Sequence, residues 1–392
     1  MKVKLLLTIL MMTLLLTGSA FAAEAIEAPK PTEVPEIKII MDGKLEKFEK
    51  VPISVNNSTL LPLRELLVKL GVPNDDEHII YNHEEKSVTV WDGQTKIYLL
   101  IGQEEAFVND ESVLLNSAPI FYGNSTYIPL RFVAETMGKK VVWDGRTRSA
   151  LICDADKFDN IKQILDKSNE EMAKVKKLKQ DMDLTGNIKL GDTSVNLVFD
   201  TSTALDIPNK RLHTNFDMNI GQTLISTETY CANNTSYTLS PLLEKWNKTA
   251  YTDAEYRELF VSQSNNNVIN NNDILCTGLN QIDSEYDDEI LLRGDVFLHD
   301  MFKEAMAQQN SGYSKGITDG MKFTDFSAEI SLNRTTYLIN YIELDTKFTR
   351  DETENEGEMS GDFSFRIAYS NYDGDFVITV PEDVVKNAVL AQ

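Results

Sequence analysis

The chain runs to 392 residues and sets 61 acidic against 38 basic side chains, a formal charge of −23. A balance that acidic argues against nucleic acid, which wants a basic patch, and against electrostatic docking on anionic lipid. It suits a solvated exported protein, or one that recruits divalent cations at a cell wall; solubility alone is enough to account for it.

Residues 1–22 carry Lys2 and Lys4, an apolar run over 5–16, and then Gly18-Ser19-Ala20-Phe21-Ala22. A basic start, a short apolar run and a small-residue end predict a secretory signal peptide cut after Ala22, with an uncleaved anchor as the alternative. No cysteine follows the run, so a lipid anchor is not expected. No later stretch reaches the roughly 18 uncharged apolar residues of a membrane span, so none is expected in the mature chain. Residues 23–36 hold Pro29, Pro31 and Pro35 among acids and form an extended, poorly ordered leader.

One phrase then occurs twice. Thr59-Leu60-Leu61-Pro62-Leu63-Arg64 continues through Leu66, Leu67 and Leu70 to Gly71. Thr126-Tyr127-Ile128-Pro129-Leu130-Arg131 continues through Val133, Ala134 and Met137 to Gly138, 67 residues later. The same shift pairs Asp42 with Asn109 and Pro52 with Pro119, which points to an internal duplication. In each copy an extended apolar pair ends at a proline, which is tolerated at the first helical position. The apolar residues that follow fall at i, i+3, i+4 and i+7, one buried face of a short helix. Gly71 and Gly138 stand where a left-handed C-terminal cap belongs. Strands over 79–81 with 87–91, and 141–143 with 149–152, complete a strand–strand–helix–strand–strand unit.

The second copy, Thr126 to Asp144 with Arg146, Arg148 and Ile152, resembles the stalk domain called copper amine oxidase N-terminal-like. That domain occurs in secreted and cell-envelope proteins of spore-forming Gram-positive bacteria, and the resemblance spans about 37–153. The first copy departs from it, with an insertion after Gly71 and Tyr81-Asn82 where Trp143-Asp144 stands. The resemblance implies a fold and no oxidase chemistry. Copper amine oxidases need three copper-binding histidines and a tyrosine-derived quinone in a T-x-x-N-Y-[DE] setting. Asn371-Tyr372-Asp373 matches that core, but Ala368 takes the threonine position. The four histidines, His78, His83, His213 and His299, show no His-x-His spacing, whereas copper favours imidazole clusters. Asn371-Tyr372-Asp373-Gly374 is expected as a hairpin turn. No cofactor and no metal ligands are assigned.

The remainder, 156–392, opens with a predicted helix over 156–182. Its apolar stripe is Phe158, Ile161, Leu165, Met172, Val175 and Leu178, with a basic end at Lys174, Lys176, Lys177 and Lys179. Alternating segments over 194–200 and 211–220 follow, then a hairpin of 224–230 with 235–239 around Asn233-Asn234. Helices are expected over 253–263 and 295–308, on either side of an Asn-rich loop. Strands over 322–332, 335–349, 358–370 and 376–380 come next, with Asn333-Arg334 a tight turn, and a short helix after Pro381. The fold class expected is α+β: a duplicated small strand-helix-strand stalk domain over 37–153, then a larger antiparallel half-barrel with covering helices over 156–392.

That order, with Tyr237, Trp246, Thr335-Thr336-Tyr337-Leu338 and the closing Val380-Pro381-Glu382-Asp383, resembles the half-barrel of LolA-like lipoprotein carriers and their Gram-positive relatives. The resemblance implies an apolar cavity that binds an acyl chain or engages a partner. Helices carrying Phe260, Phe297, Met301 and Phe302 would cover it; loose cover leaves a pocket and tight cover a solid core. These four are the candidate ligand-binding residues.

Cys153, Cys231 and Cys276 allow one disulfide and a spare thiol in an exported chain. Cys231 with Cys276 is the favoured pair because both lie in the second domain; free buried thiols are the alternative. The acidic clusters over 287–289 and 351–358 lack the spacing of a calcium loop, and no G-x-S-x-G, H-E-x-x-H or P-loop is present. No catalytic residue is assigned. The expectation is an exported, non-enzymatic cell-envelope protein whose half-barrel binds a lipid, another apolar ligand or a peptide, presented by the stalk. The alternative is a cell-wall-associated structural protein whose stalk grips a wall polymer, with Tyr122, Tyr127 and Trp143 stacking on sugars. An unrecognised hydrolase is the third reading, marked by two converging carboxylates of shifted pKa.

Overall fold

The structure is a computed structural model that describes residues 30–263, 273–296, 298, 321–352 and 357–390. The predicted signal peptide and most of the predicted helix over 295–308 lie outside the described residues. No described helix is long and apolar enough to cross a membrane.

The N-terminal half holds β1 (Thr32–Glu33), β2 (Lys38–Met41), β3 (Lys44–Glu46), β4 (Ile53–Val55), β5 (Ser58–Pro62) and α1 (Leu63–Lys69). These are followed by β6 (Ile79–Asn82), β7 (Ser87–Trp91), β8 (Lys96–Leu100), β9 (Glu105–Val108), β10 (Glu111–Leu114) and β11 (Ile120–Tyr122). Last come β12 (Ser125–Pro129), α2 (Leu130–Thr136), β13 (Lys139–Asp144) and β14 (Ser149–Asp154). The elements β4, β5 and α1 recur as β11, β12 and α2 at a shift of 67 residues. Where β5 and β12 pair, Leu61 lies opposite Ile128, its own counterpart. The two helices bury Leu63, Leu66 and Leu67, and Leu130, Val133 and Ala134, as the spacing predicts. Pro62 and Pro129 stand at the N-cap, one position earlier than expected. Gly71 and Gly138 take the left-handed conformation, at φ 98° and 71°.

Strands β10-β9-β8-β7-β6 form one sheet and β13-β14-β2-β3 another. Strand β14 is buried along Ser149 to Cys153, on both faces. Ala150 and Ile152, with Ile39 on β2, face the core of the N-terminal half. Leu151 and Cys153, with Ile40, pack into the core of the C-terminal half. One pair of strands therefore belongs to two cores.

The chain turns at Asp154 into α3 (Ala155–Met172), whose first turn is capped by the Asp154 carboxylate accepting the Lys157 N–H. Phe158, Ile161, Ile164, Leu165 and Met172 are its buried stripe. The helix ends ten residues earlier than predicted. Residues 177–190 are instead β15 (Lys177–Leu190), in which Leu178 and Met182 face inward by strand alternation. The lysines expected to close the helix alternate outward from this strand or lie in the joint before it.

Strands β16 (Thr193–Asp206), β17 (Arg211–Ile220), β18 (Thr223–Ala232), β19 (Thr235–Ser240) and β20 (Lys245–Ala250) continue as an antiparallel meander. After α4 (Asp253–Gln263) and α5 (Asp273–Gly278) come β21 (Leu279–Ile282), β22 (Glu289–Asp295), β23 (Lys322–Asn333), β24 (Ile339–Arg350) and β25 (Met359–Ser370). The end is α6 (Glu382–Asn387) and β26 (Val389–Leu390). Twelve strands form one open sheet in the order β21-β22-β23-β24-β25-β15-β16-β17-β18-β19-β20-β26. Asn371, Tyr372 and Asp373 turn the chain but join no hairpin. Asp373 accepts the backbone N–H groups of Lys176 and Lys177, at 2.7 and 3.0 Å, and the Tyr372 hydroxyl donates to the Ile339 carbonyl. Residues 376–380, expected as a strand, pair with nothing in the sheet.

Candidate functional site: the inner face of the curved sheet

Cross-strand partners in an antiparallel sheet share a face, so the register fixes what the inner face presents. Its floor is the row Leu178, Leu205, Leu212 and Cys231, buried in the core that holds α3. The next row is Gln180, Thr203, Thr214, Thr229 and Thr238. Its hydroxyls bond one another, Thr203 with Thr214 at 3.1 Å and Thr229 with Thr238 at 3.2 Å. Then come Ile342, Ile367, Met182, Thr201, Phe216 and Thr227, and beyond them Leu344, Phe365, Leu184, Phe199, Met218 and Ile225. Further out come Phe363, Gly186, Leu197 and Ile220, and then Phe348, Gly361, Ile188 and Val195.

Two properties follow. From β25 through β15 to β19, no inward position carries an ionisable acid or base; Tyr369 and Cys231, both held neutral by burial, are the only titratable groups there. The charges of these strands point outward, where they pair. His213 meets Glu228 at 2.8 Å, Tyr230 donates to Glu228 at 2.7 Å, and Arg366 meets Glu343 at 2.9 Å. Second, the outer rows are half-buried rather than sealed: Leu184, Leu197, Phe199, Phe216, Met218 and Ile225 all keep partial exposure. Among them the Thr201 hydroxyl is buried without a hydrogen-bond partner, which costs free energy unless something meets it.

The residues predicted to line this face fall differently. Phe260 belongs to α4, but its side chain lies outside the described residues, as do Phe297, Met301 and Phe302. Their role as a lid stays a proposal. The side chains that the structure does bring together, Leu184, Phe199, Phe216 and Met218, were visible only as alternating strand positions.

Cys231 and Cys276 are not bridged; all three cysteines are free and buried. The neighbour of Cys276 is Cys153, across the joint between the halves, where α5 packs on β14. Of the aromatics considered for sugar stacking, Tyr127 is core and donates to the Val51 carbonyl, while Tyr122 donates to Glu33. Trp143 alone is open, 44% exposed. In the acidic clusters Glu289 holds Ser284 and Ser331, and Asp351 pairs with Lys322 at 2.5 Å. Among the described residues no three His, Cys, Asp or Glu side chains gather as a metal site would require.

Residues 40–152 match the copper amine oxidase N-terminal domain. Residues 160–389, more than half of the chain, match the family of unknown function DUF6612. The chain belongs to DUF6612. No curated protein matches it. Solved structures similar to this DUF6612 protein include lipoprotein LppX of Mycobacterium tuberculosis, at 9% identity and a TM-score of 0.31, covering 56% of this chain and 99% of that one. LprF from Mycobacterium bovis matches at 12% identity and a TM-score of 0.28, covering 57% and 97%. An outer membrane lipoprotein-sorting domain from Vibrio parahaemolyticus matches at 11% identity and a TM-score of 0.19, covering 57% and 96%. The similarity is one of broad outline.

Proposed function

We propose that this DUF6612 protein is an exported, non-enzymatic binder of a long acyl chain, held on the inner face of the half-barrel and presented by the N-terminal half. The observation that carries this reading is the inner face of β25 and of β15 to β19, free of acids and bases in a chain of charge −23. The row from Leu344 to Ile225 crosses six strands, about 24 Å at the usual strand spacing. Half-buried apolar side chains along that length offer a long apolar ligand burial at roughly 25 cal/mol per Å². The Thr201 hydroxyl and the threonine row beside it supply neutral hydrogen-bonding groups for an ester, amide or hydroxyl at one side of the chain. A free carboxylate or phosphate would find no cation in this row; the inward cation of β24, Arg350, is buried at the far end of that strand.

Native mass spectrometry of the mature protein from its secreting host, followed by organic extraction, tests this. The expected result is a co-purifying acyl species that is lost in Met218→Glu and in Phe199→Asp. Loss in Met301→Glu and Phe302→Glu as well would place the predicted lid over the same ligand. A clean polypeptide mass, with no uptake of a fluorescent fatty acid added afterwards, would overturn the reading.

A further inference from the structure

The two related units of the N-terminal half each form a groove beside their helix. The first, about 750 Å³, lies between α1 and the turn at Asn124, Ser125 and Thr126. The second, about 610 Å³, lies between α2 and the turn at Asn57, Ser58 and Thr59. The turn residues correspond at a shift of 67, so each groove is walled by its own helix and the other unit's turn. The molecule thus contains its own comparison.

The side chains of the two grooves differ systematically. The first collects Lys47, Lys50, Arg64 and Lys69 against Glu49 and Glu65. The counterparts in the second unit are Leu114, Ser117, Arg131 and Thr136, so three of four cations have no equivalent. The fold therefore forms without them. The arginine common to both is used differently. Arg131 is tied down by Glu135 at 3.1 Å and the Val141 carbonyl at 2.8 Å, whereas Arg64 donates to the neutral Asn74 side chain at 2.7 Å. Lys50 likewise donates to the neutral hydroxyl of Ser125, and Lys69 alone is matched to a carboxylate, Glu46. Phe121, 62% exposed, and Tyr81, 37% exposed, border this cationic floor.

We propose that the groove beside α1 binds an anionic glycan, with a sugar ring against Phe121 and Tyr81 and its phosphate or carboxylate on Arg64, Lys50 and Lys47. An aromatic face packs on the C–H face of a sugar while the guanidinium takes an oxyanion in its planar fork. The cations give this groove a local attraction for an anion, which the net charge of the chain opposes at long range. The proposal is independent of the acyl-chain reading, because it uses neither the C-terminal half nor any residue of the inner face.

The test uses the full mature chain in affinity electrophoresis and calorimetry with three polymers: phosphomannan, polygalacturonate and neutral dextran. Binding of either polyanion at 20 mM salt, with dextran ignored, is expected; which polyanion binds distinguishes phosphate from carboxylate. Phe121→Ala, at an exposed site, should weaken binding at least tenfold. The pair Lys47→Gln with Arg64→Gln should do the same and flatten the salt dependence by about two counterions. Trp143→Ala, in the second groove, should change affinity less than twofold. Failure to bind either polyanion, wild-type affinity in both first-groove variants, or equal loss in Trp143→Ala would overturn the proposal. So would binding confined to phosphatidylglycerol vesicles.

Discussion

Cys153 and Cys276 show how the position of a side chain decides its chemistry. Burial pushes both thiols up to about 12 and the Cys231 thiol up to about 11. A thiolate is the reactive form, so at pH 8 the folded protein should show no reaction with Ellman's reagent, and three thiols should react in guanidinium. The unfolded thiols ionise from about pH 9 and the folded ones only near 11 to 12, so between these limits the folded state binds more protons. Stability should then fall as pH rises above 9, by at most roughly 1.4 kcal/mol per pH unit per thiol. Urea midpoints at pH 8 and pH 10 check this; the decline should be shallower in the variant with all three cysteines changed to alanine. Gly43 shows a second constraint. It has φ +81°, and a Cβ there would stand 1.7 Å from the Asp295 carbonyl oxygen. Gly43→Ala must move the β2–β3 hairpin off β22, at a cost of about 2 kcal/mol or more, measurable as a lower urea midpoint.

At the scale of elements, the two short helices were legible because three signals agree: proline at the start, apolar spacing, and glycine at the end. The body of α3 was legible from its clean stripe, whereas the Asp154 cap was passed over by a start expected at residue 156. Asp154→Ala should cost about 1 kcal/mol, again in the urea midpoint. The end of α3 was not legible. Val175, Leu178 and Met182 continue a helical spacing of three and four, and the strand signal is weak because Gln180, a polar residue, takes an inward position between Leu178 and Met182. The six-residue α5 has neither cap phrase nor full stripe, and β8 has no counterpart in the second unit. Both escaped sequence reading. Three free, buried cysteines match the alternative the sequence left open; what spacing could not show is that Cys276 lies at the joint with the N-terminal half.

For the molecule as a whole, the sequence showed two halves and the sign of the charge, but not that the halves share β2 and β14. That sharing depends on long-range pairing, β14 beside β2, which local periodicity does not encode. Polar links reinforce it: Lys44 meets Asp295 at 3.0 Å and Lys157 meets Asp42 at 2.5 Å. Calorimetry should therefore give one cooperative peak. Leu151→Ala, which opens the second core from the first half, should lower it by roughly 2–5 kcal/mol without splitting it; two separate peaks in the wild type would refute the coupling.

The doubly buried β14 also sets a rule for anyone who cuts the gene. Because Ile40, Leu151 and Cys153 lie on the N-terminal side of any scissor placed near residue 155, the excised N-terminal fragment carries a raw apolar strip with nothing to cover it, and the C-terminal fragment keeps an open socket. Shuffled onto a foreign partner, each should self-associate until the strip finds a new lining.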